Sequence, residues 1–288
     1  LETGKRTPSQ SIADPGYFIL GNHTFRDDKV GGHGTVDMAK SIIDSCNTYY
    51  YHLARDMGVN PMHDFMKPLG FGQITGIDLE GESRGILPST AWKEKAFKKT
   101  EQQKWFEGET ISLGIGQGYN SFTILQLAHA TANLANQGVV MKPHLVKSIE
   151  NPITKDRVLT TPQESYKIDL KRENIDVITK AMVDVNKFGT SAAVFKGASY
   201  NAAGKTGTAQ VYSLNAKTYN HGATPEFLRD HALYVVYAPA ENPKIAIAMI
   251  VENAGFGAAH AAPIARRALD YYLEGRWPKE VPEWKNAP

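Results

Sequence analysis

Two short runs of β-branched and aromatic residues near the end of this chain restrict its fold more than any other feature. Residues 233–238 and 244–252 flank the segment Pro239-Ala240-Glu241-Asn242-Pro243. Such a pattern is typical of two antiparallel strands joined by a tight turn. We expect the strand-like run through Lys205 to pair beside this hairpin, and a helix over residues 259–273 to cover one face. The apolar residues expected to face the sheet are Ile264, Ala268, Leu269 and Tyr272.

Earlier segments have helical periodicity. Residues 124–136 predict a helix capped by Ser121 or Thr123, and residues 172–187 predict another. Thr35 or Gly34 is expected to cap a helix over residues 36–43, and a further helix is expected to begin at Ser45-Cys46-Asn47. Helices on both faces of an antiparallel sheet make a mixed α and β, three-layer α-β-α domain.

Composition is that of one large folded domain. The 288 residues are 42% hydrophobic and 22% charged, and the formal net charge is only +2. Interspersed charges of this kind exclude nucleic acid as an expected partner. We predict a single domain over residues 1–288 with a loop-rich excursion at residues 59–110 and a C-terminal tail at residues 276–288. The basic run that begins at Lys93 is expected to be a solvated loop face.

Two motifs contain the residue types that serine acyl transfer needs. In Lys205-Thr206-Gly207-Thr208, the lysine supplies positive charge, the threonines can bind a carboxylate, and the Thr208 N–H can face a developing oxyanion. Gly207 would let an extended substrate lie against the backbone. In the second motif, Ser45 can relay a proton and Asn47 can orient a substrate amide.

The nucleophile of this chemistry is missing from the printed sequence. Penicillin-recognising enzymes use S-x-x-K, then S-x-N, then K-T-G, and no serine here has a lysine three positions later. Over residues 10–275 the chain nevertheless resembles the transpeptidase domain of a class B penicillin-binding protein of the elongation, rod-shape type. The blocks that carry the resemblance, besides the two motifs, are Asp14-Pro15-Gly16, Trp92-Lys93, Gly114-Ile115-Gly116-Gln117-Gly118-Tyr119, Leu125-Gln126-Leu127-Ala128, Arg229-Asp230-His231 and Val251-Glu252-Asn253.

The resemblance implies a β-lactamase/transpeptidase-like fold that is N-terminally incomplete. Family members place the nucleophilic serine a few tens of residues before the Asp14 block, so S-x-x-K is expected upstream of Leu1 and this chain alone is expected to be inactive. Family members are also anchored by an N-terminal helix, which is expected upstream as well, at the periplasmic face of the bacterial inner membrane. No apolar run here approaches the ~20 residues of a spanning helix.

The implied activity is that of a peptidoglycan D,D-transpeptidase. Such an enzyme acylates its serine on the penultimate D-alanine of a stem peptide, and β-lactams imitate that unit. Implied partners are the stem peptide, β-lactams, a SEDS-type glycan polymerase and rod-shape complex proteins, with no cofactor required for catalysis. Serine β-lactamases share the fold, but the excursion at residues 59–110 and the elongation-type blocks argue against them.

A mixed set of oxygen, nitrogen and sulfur ligands lies within one short stretch. Asp14, Asp27, His33 and Cys46 could form a tetrahedral zinc site, although their spacing is not that of a zinc finger. Some elongation-type relatives carry a structural metal near S-x-N, and these four residues match it. The alternative is a buried apolar cysteine and an ordinary loop histidine. A zinc ion would hold the loop that leads to Ser45 and Asn47.

Two other functions remain open at this point. The chain could be a catalytically silent module that acts by binding cell-wall elongation partners, or a metal hydrolase that uses the four-residue set. A nucleotide loop at Gly114-x-Gly116-x-Gly118 is disfavoured, because the spacing is not G-x-G-x-x-G and no P-loop lysine follows. We interpret this segment as a cleft-side loop.

Overall fold

The computed structural model describes residues 1–211 and 224–276. The strands are β1 (Ile12–Asp14), β2 (Tyr17–Leu20), β3 (His23–Arg26), β4 (Gly34–Val36), β5 (Val139–Met141), β6 (Ser148–Glu150), β7 (Arg157–Leu159), β8 (Glu164–Lys167), β9 (Ala203–Ala209), β10 (His231–Ala238) and β11 (Ile245–Val251). The helices are α1 (Met38–Ile43), α2 (Asn47–Met57), α3 (Val59–Met66), α4 (Thr90–Ala96), α5 (Thr100–Gln103), α6 (Glu107–Leu113), α7 (Ile124–Ala135), α8 (Arg172–Lys187), α9 (Ala192–Phe195) and α10 (Gly257–Glu274).

The expected hairpin supplies two of the three strands of the main sheet, with β10 at the centre. Strands β10 and β11 pair antiparallel, with Ala238 opposite Ile245 across the turn. Strand β9 pairs antiparallel with β10 and places Lys205 opposite Val235, so the strand order is β11-β10-β9. Strand β9 is therefore an edge strand of the described sheet. The backbone groups on its outer side form no hydrogen bonds with another strand of this sheet.

Helices pack against both faces of this sheet, which confirms the three-layer fold. Alternate residues of β10 point to opposite faces. Tyr234 and Val236 pack in one buried cluster with Leu269 of α10, and Tyr237 packs in another with Met38 of α1 and Val185 of α8.

The inward face of α10 differs from the prediction. Ile264 and Tyr272 are 41% and 59% exposed, whereas Leu269 is buried as expected. The other buried residues of α10 are Gly257, Pro263 and three alanines, Ala261, Ala262 and Ala265. Small side chains let the helix lie close to the sheet. At its first residue, a Cβ on Gly257 would lie only 2.2 Å from the Leu233 carbonyl oxygen.

Helix α8 has the predicted bounds, and Thr123 caps α7 by accepting a hydrogen bond from the Gln126 N–H. The first helix starts later than predicted, at Met38 with Asp37 as its cap. Residues 34–36 instead form β4, which pairs with β1. That partner is distant in sequence, so local capping patterns did not reveal it.

The excursion at residues 59–110 consists of short helices and loops around a buried lysine. Lys93 was expected in solvent, but its side chain is 2% exposed and forms an ion pair with Glu109. Its ammonium lies 5.2 to 5.8 Å from the ring centres of Phe97, Trp105, Phe106 and Tyr119. Aromatic faces attract a cation, so this cage and the carboxylate offset its burial.

Among the described helices, none has the length and hydropathy needed to cross a bilayer. The predicted tail at residues 276–288 lies outside the described residues, apart from Arg276.

Candidate active site

The two sequence motifs meet in space although they are far apart along the chain. The Lys205 ammonium on β9 donates a hydrogen bond to Ser45 Oγ at 2.7 Å and to the Thr206 carbonyl at 3.1 Å. The two hydrogen-bonded residues are separated by 160 positions. A lysine and a serine in this contact can pass a proton between them or to a bound group.

Ser45 reaches this contact because of an unusual backbone. It lies between the last residues of α1 and the start of α2, and its φ is +61°. L-residues rarely adopt this left-handed conformation, which costs about 1–2 kcal/mol. Flanking hydrogen bonds hold it, including that from the Cys46 N–H to the Ser41 carbonyl at 3.0 Å. Strain at a reactive side chain is typical of functional sites.

Burial lowers the pH at which the Lys205 side chain loses its charge. Removal of water from around the ammonium lowers the pKa of Lys205 to about 8, and the Asp28 carboxylate opposes this shift. The side chain is therefore cationic at neutral pH but loses its charge in mildly alkaline solution.

The remaining predicted residues lie next to Ser45 or Lys205 along the chain. Thr206 Oγ1 lies 2.8 Å from Thr190 Oγ1. Asn47 opens α2 two residues after Ser45 and is half-buried. Gly207 lies opposite Leu233, where a Cβ would come 3.1 Å from the Leu233 Cβ, so its close neighbour is its own sheet. The substrate approach predicted for Gly207 stays a prediction.

Two residues near the predicted set were missed as site residues. Thr190 follows α8 and meets Thr206 through a hydroxyl contact. Gln117 belongs to one of the blocks that carry the family resemblance, but the sequence predicted no role for it. Its amide donates a hydrogen bond to the Thr208 carbonyl at 3.0 Å. Neither contact has a sequence signature, because each depends on elements brought together by the fold.

The four predicted metal ligands converge beside this site. Their donor atoms all lie within 4.8 Å of one another. Cys46 Sγ is 3.4 Å from Asp14 Oδ2 and 3.4 Å from Asp27 Oδ2, while His33 Nδ1 is 2.9 Å from Asp14 Oδ2. Ligand atoms around a tetrahedral zinc ion are about 3.3–3.8 Å apart. The two distances from Cys46 Sγ lie in this range, and the oxygen, nitrogen and sulfur donors are of the types that zinc binds.

The backbone around Asp14 supports its ionised form. Burial raises the pKa of Asp14, but hydrogen bonds from the Gly16 N–H and the His33 N–H favour the carboxylate, and the pKa lies at about 2. Gly32, with φ of +75°, makes the tight loop possible, because a Cβ there would lie 2.2 Å from the Asp14 carbonyl oxygen.

Cys46 connects this cluster to the first site. It is fully buried, and burial raises the pKa of its thiol. It is also the N-cap residue of α2, directly between Ser45 and Asn47. A cation bound by all four side chains would thus hold the backbone at both motif residues.

Comparison with known proteins identifies the family of this chain. The family model of the penicillin binding protein transpeptidase domain matches residues 1–270. The chain belongs to the penicillin-binding protein transpeptidase family. The family predicted by resemblance is therefore confirmed, and with it the fold class.

Individual members of the transpeptidase family support this conclusion. The peptidoglycan D,D-transpeptidase MrdA of Haemophilus influenzae is 42% identical over 283 residues, which are 95% of this chain and 42% of that protein. The solved structure of Pseudomonas aeruginosa PBP2 matches with a TM-score of 0.81 and 37% identity, covering 99% of this chain and 60% of that one. A complex between PBP2 and MreC from Helicobacter pylori matches with a TM-score of 0.77 and 28% identity, covering 96% of this chain and 47% of that one. The chain thus spans less than half of the curated relative.

Proposed function

We propose that the intact protein containing this chain is a peptidoglycan D,D-transpeptidase that is also acylated by β-lactams. The observation that carries the proposal is the 2.7 Å contact between Lys205 Nζ and Ser45 Oγ, which joins the K-T-G and S-x-N motifs in one site. The nucleophilic serine of S-x-x-K is proposed to lie on a segment outside these residues. On this proposal the isolated chain is inactive.

The residues of this chain then act on a substrate bound along the outer edge of β9. The serine Oγ loses its proton and bonds to the carbonyl carbon of the penultimate D-alanine, and the amide bond to the terminal D-alanine breaks. Ser45 relays this proton to the leaving amine, while the Thr208 N–H donates to the carbonyl oxygen as it becomes anionic. An amine of a second stem peptide then attacks the ester and releases the serine.

Recognition of the substrate is assigned to the other polar groups of the site. Lys205 and the hydroxyls of Thr206 and Thr208 bind the terminal carboxylate, which a β-lactam also carries. The Asn47 amide orients the peptide or drug amide. Gly207 keeps this stretch of backbone accessible to an extended peptide.

A structural zinc ion is proposed for Asp14, Asp27, His33 and Cys46. Four protein ligands fill a tetrahedral shell, which leaves no position for a reacting water. The set therefore favours a structural role over that of a metal hydrolase. When bound, the ion would neutralise the two buried carboxylates and hold the loop that ends at Ser45.

Location and partners are proposed from the family. We place the intact protein at the periplasmic face of the bacterial inner membrane, with its anchor outside the described helices. Its proposed protein partners are a SEDS-type glycan polymerase and rod-shape complex proteins. Support for the rod-shape complex proteins comes from the Helicobacter pylori relative, whose structure is a complex with MreC.

Product analysis on a stem-peptide pair tests the proposed activity. The full-length protein would be incubated with a stem pentapeptide donor and an amine-bearing stem-peptide acceptor, and products identified by mass spectrometry. We expect release of D-alanine and a cross-linked dimer, with a fall of at least about 100-fold in Lys205→Ala and Ser45→Ala. Lys196→Ala, an exposed lysine near β9, is the control and should match wild type. Absence of both products with the wild-type protein would refute the activity.

A further inference from the structure

The outer edge of β9 has a feature that the two motifs do not explain. The Thr206 carbonyl accepts a hydrogen bond from Lys205 Nζ at 3.1 Å. The Thr208 carbonyl accepts one from Gln117 Nε2 at 3.0 Å. Both carbonyls therefore point away from β10. Gln117 lies in the segment between α6 and α7, 91 residues from Thr208, so the contact joins two separate parts of the fold.

The direction of the carbonyl determines the direction of the adjoining N–H. In an antiparallel strand, the N–H and C=O of one residue point to the same side, either both toward the partner strand or both away. Because the Thr208 carbonyl faces outward, the Thr208 N–H faces outward too. The bond from Gln117 thus acts on the same residue whose N–H is proposed to stabilise the oxyanion.

The segment that carries Gln117 is itself held in place. The Gln117 N–H donates to the Ser112 carbonyl at 3.1 Å, and the Asn120 amide donates to the Gln117 carbonyl at 3.3 Å. Two residues along, the Tyr119 hydroxyl donates to Glu109 at 2.9 Å, and Glu109 pairs with the buried Lys93. A charged network inside the excursion therefore supports the loop that contacts β9.

Holding a backbone N–H in a fixed direction can speed a reaction. An oxyanion donor is effective when it is already aimed at the position that the negative charge will occupy. The Thr208 carbonyl and the Thr208 N–H belong to adjoining peptide groups that share the Thr208 Cα, so rotation of one peptide group about this residue alters the direction of the other. A bond to the carbonyl limits this rotation without contact to the substrate.

We propose that Gln117 is a positioning residue for acyl transfer, which fixes the orientation of the Thr208 backbone and so aims its N–H at the oxyanion. This inference rests on the proposed transpeptidase function. It assigns the 114–119 segment a role in the rate of acylation and none in substrate affinity. The buried Lys93 and Glu109 pair supports that role from inside the excursion.

Stopped-flow acylation of the full-length protein by a chromogenic β-lactam tests the inference, because it separates the acylation rate constant from the dissociation constant of the initial complex. For Gln117→Ala we expect the rate constant to fall about tenfold while the dissociation constant stays within about twofold. Gln117→Glu has a similar shape but no N–H donor, so it should fall at least as far. The melting temperature and the fraction of protein that can be acylated should remain near wild type.

The matched control is Gln103→Ala, which removes a similar side-chain bond to a backbone carbonyl, that of Phe97, away from β9. Its acylation rate constant should equal that of wild type. Equal acylation rate constants for Gln117→Ala and wild type would overturn the inference. So would a loss of acylation in Gln117→Ala that is explained wholly by a smaller fraction of acylatable protein. A wild-type protein that is never acylated would instead refute the proposed function, so the two failures can be told apart.

Discussion

At the scale of single residues, the charge of Lys205 makes substrate binding depend on pH. Burial lowers its pKa to about 8, so the ammonium is present below this pH and is lost above it. We therefore expect the initial complex with a carboxylate-bearing penicillin to weaken as the pH rises through about 8. Dissociation constants measured from about pH 6.5 to about 9.5 would show this change. Lys205→Arg should abolish it, because a guanidinium stays protonated; a pH-independent wild-type constant would contradict the assignment.

The backbone of Ser45 leads to a second prediction at this scale. Glycine adopts a φ of +61° without strain but also loses the bond to Lys205, so the two effects should nearly cancel and Ser45→Gly should leave the free energy of unfolding within about 1 kcal/mol of wild type. Ser45→Ala keeps the strain and loses the bond to Lys205, so it should lower that free energy by about 1 kcal/mol. Both variants lack the hydroxyl and should be acylated at least about 100-fold more slowly than wild type. Thermal melting and acylation, measured on the same samples, test both expectations: the glycine variant should be more stable than the alanine variant, and both should be acylated slowly. A stable, fully active glycine variant would refute the role of the hydroxyl.

At the scale of elements, we propose that a zinc ion bound by the four converging side chains would hold the segment from β1 to the start of α2. We expect about one zinc ion per protein molecule by elemental analysis, and a lower melting temperature after chelation that zinc restores. His33→Ala and Cys46→Ser should lose the metal. His23→Ala, an exposed histidine on β3, should retain it. Protein that contains no zinc and does not respond to added zinc would contradict the proposed metal site.

Packing of α10 against β9 and β10 supplies another element-scale prediction. A Cβ at Gly257 would lie 2.2 Å from the Leu233 carbonyl oxygen and 2.4 Å from that of Gly207, so Gly257→Ala must displace the helix or the strand. We expect it to cost about 1–3 kcal/mol of stability and to slow acylation. Gly108→Ala, also in the first turn of a helix, meets only a side-chain atom at 3.7 Å and should be neutral or stabilising. Equal melting temperatures for the two variants would refute this packing argument.

Local periodicity predicted the elements whose pattern lies within one segment. The β10–β11 hairpin, α7 and α8 are of this kind, and their bounds agree closely with the structure. Strand β4 was missed because it exists through pairing with β1, whose partner residues lie 20 to 24 positions away. The inward face of α10 was wrong because large apolar residues were expected inside, whereas close approach to the sheet selected alanines.

At the scale of the whole molecule, the candidate site could be predicted only through the family resemblance. Nothing in the spacing of Ser45 and Lys205 places them 2.7 Å apart, since the contact depends on the docking of α1 and α2 against the sheet. Gln117 and Thr190 had no predicted role for the same reason. Lys93 was wrongly expected in solvent because its cage forms from residues between 97 and 119 that the fold brings around it.

The central claim is the proposal that Lys205 and Ser45 serve a nucleophilic serine outside residues 1–288. Intact mass of the full-length protein before and after benzylpenicillin, followed by peptide mapping, tests it most directly. We predict that wild type gains one drug equivalent on a serine outside residues 1–288, and that Lys205→Ala gains it at least about 100-fold more slowly. No adduct on the wild-type protein, or an adduct on a serine within residues 1–288, would contradict the account.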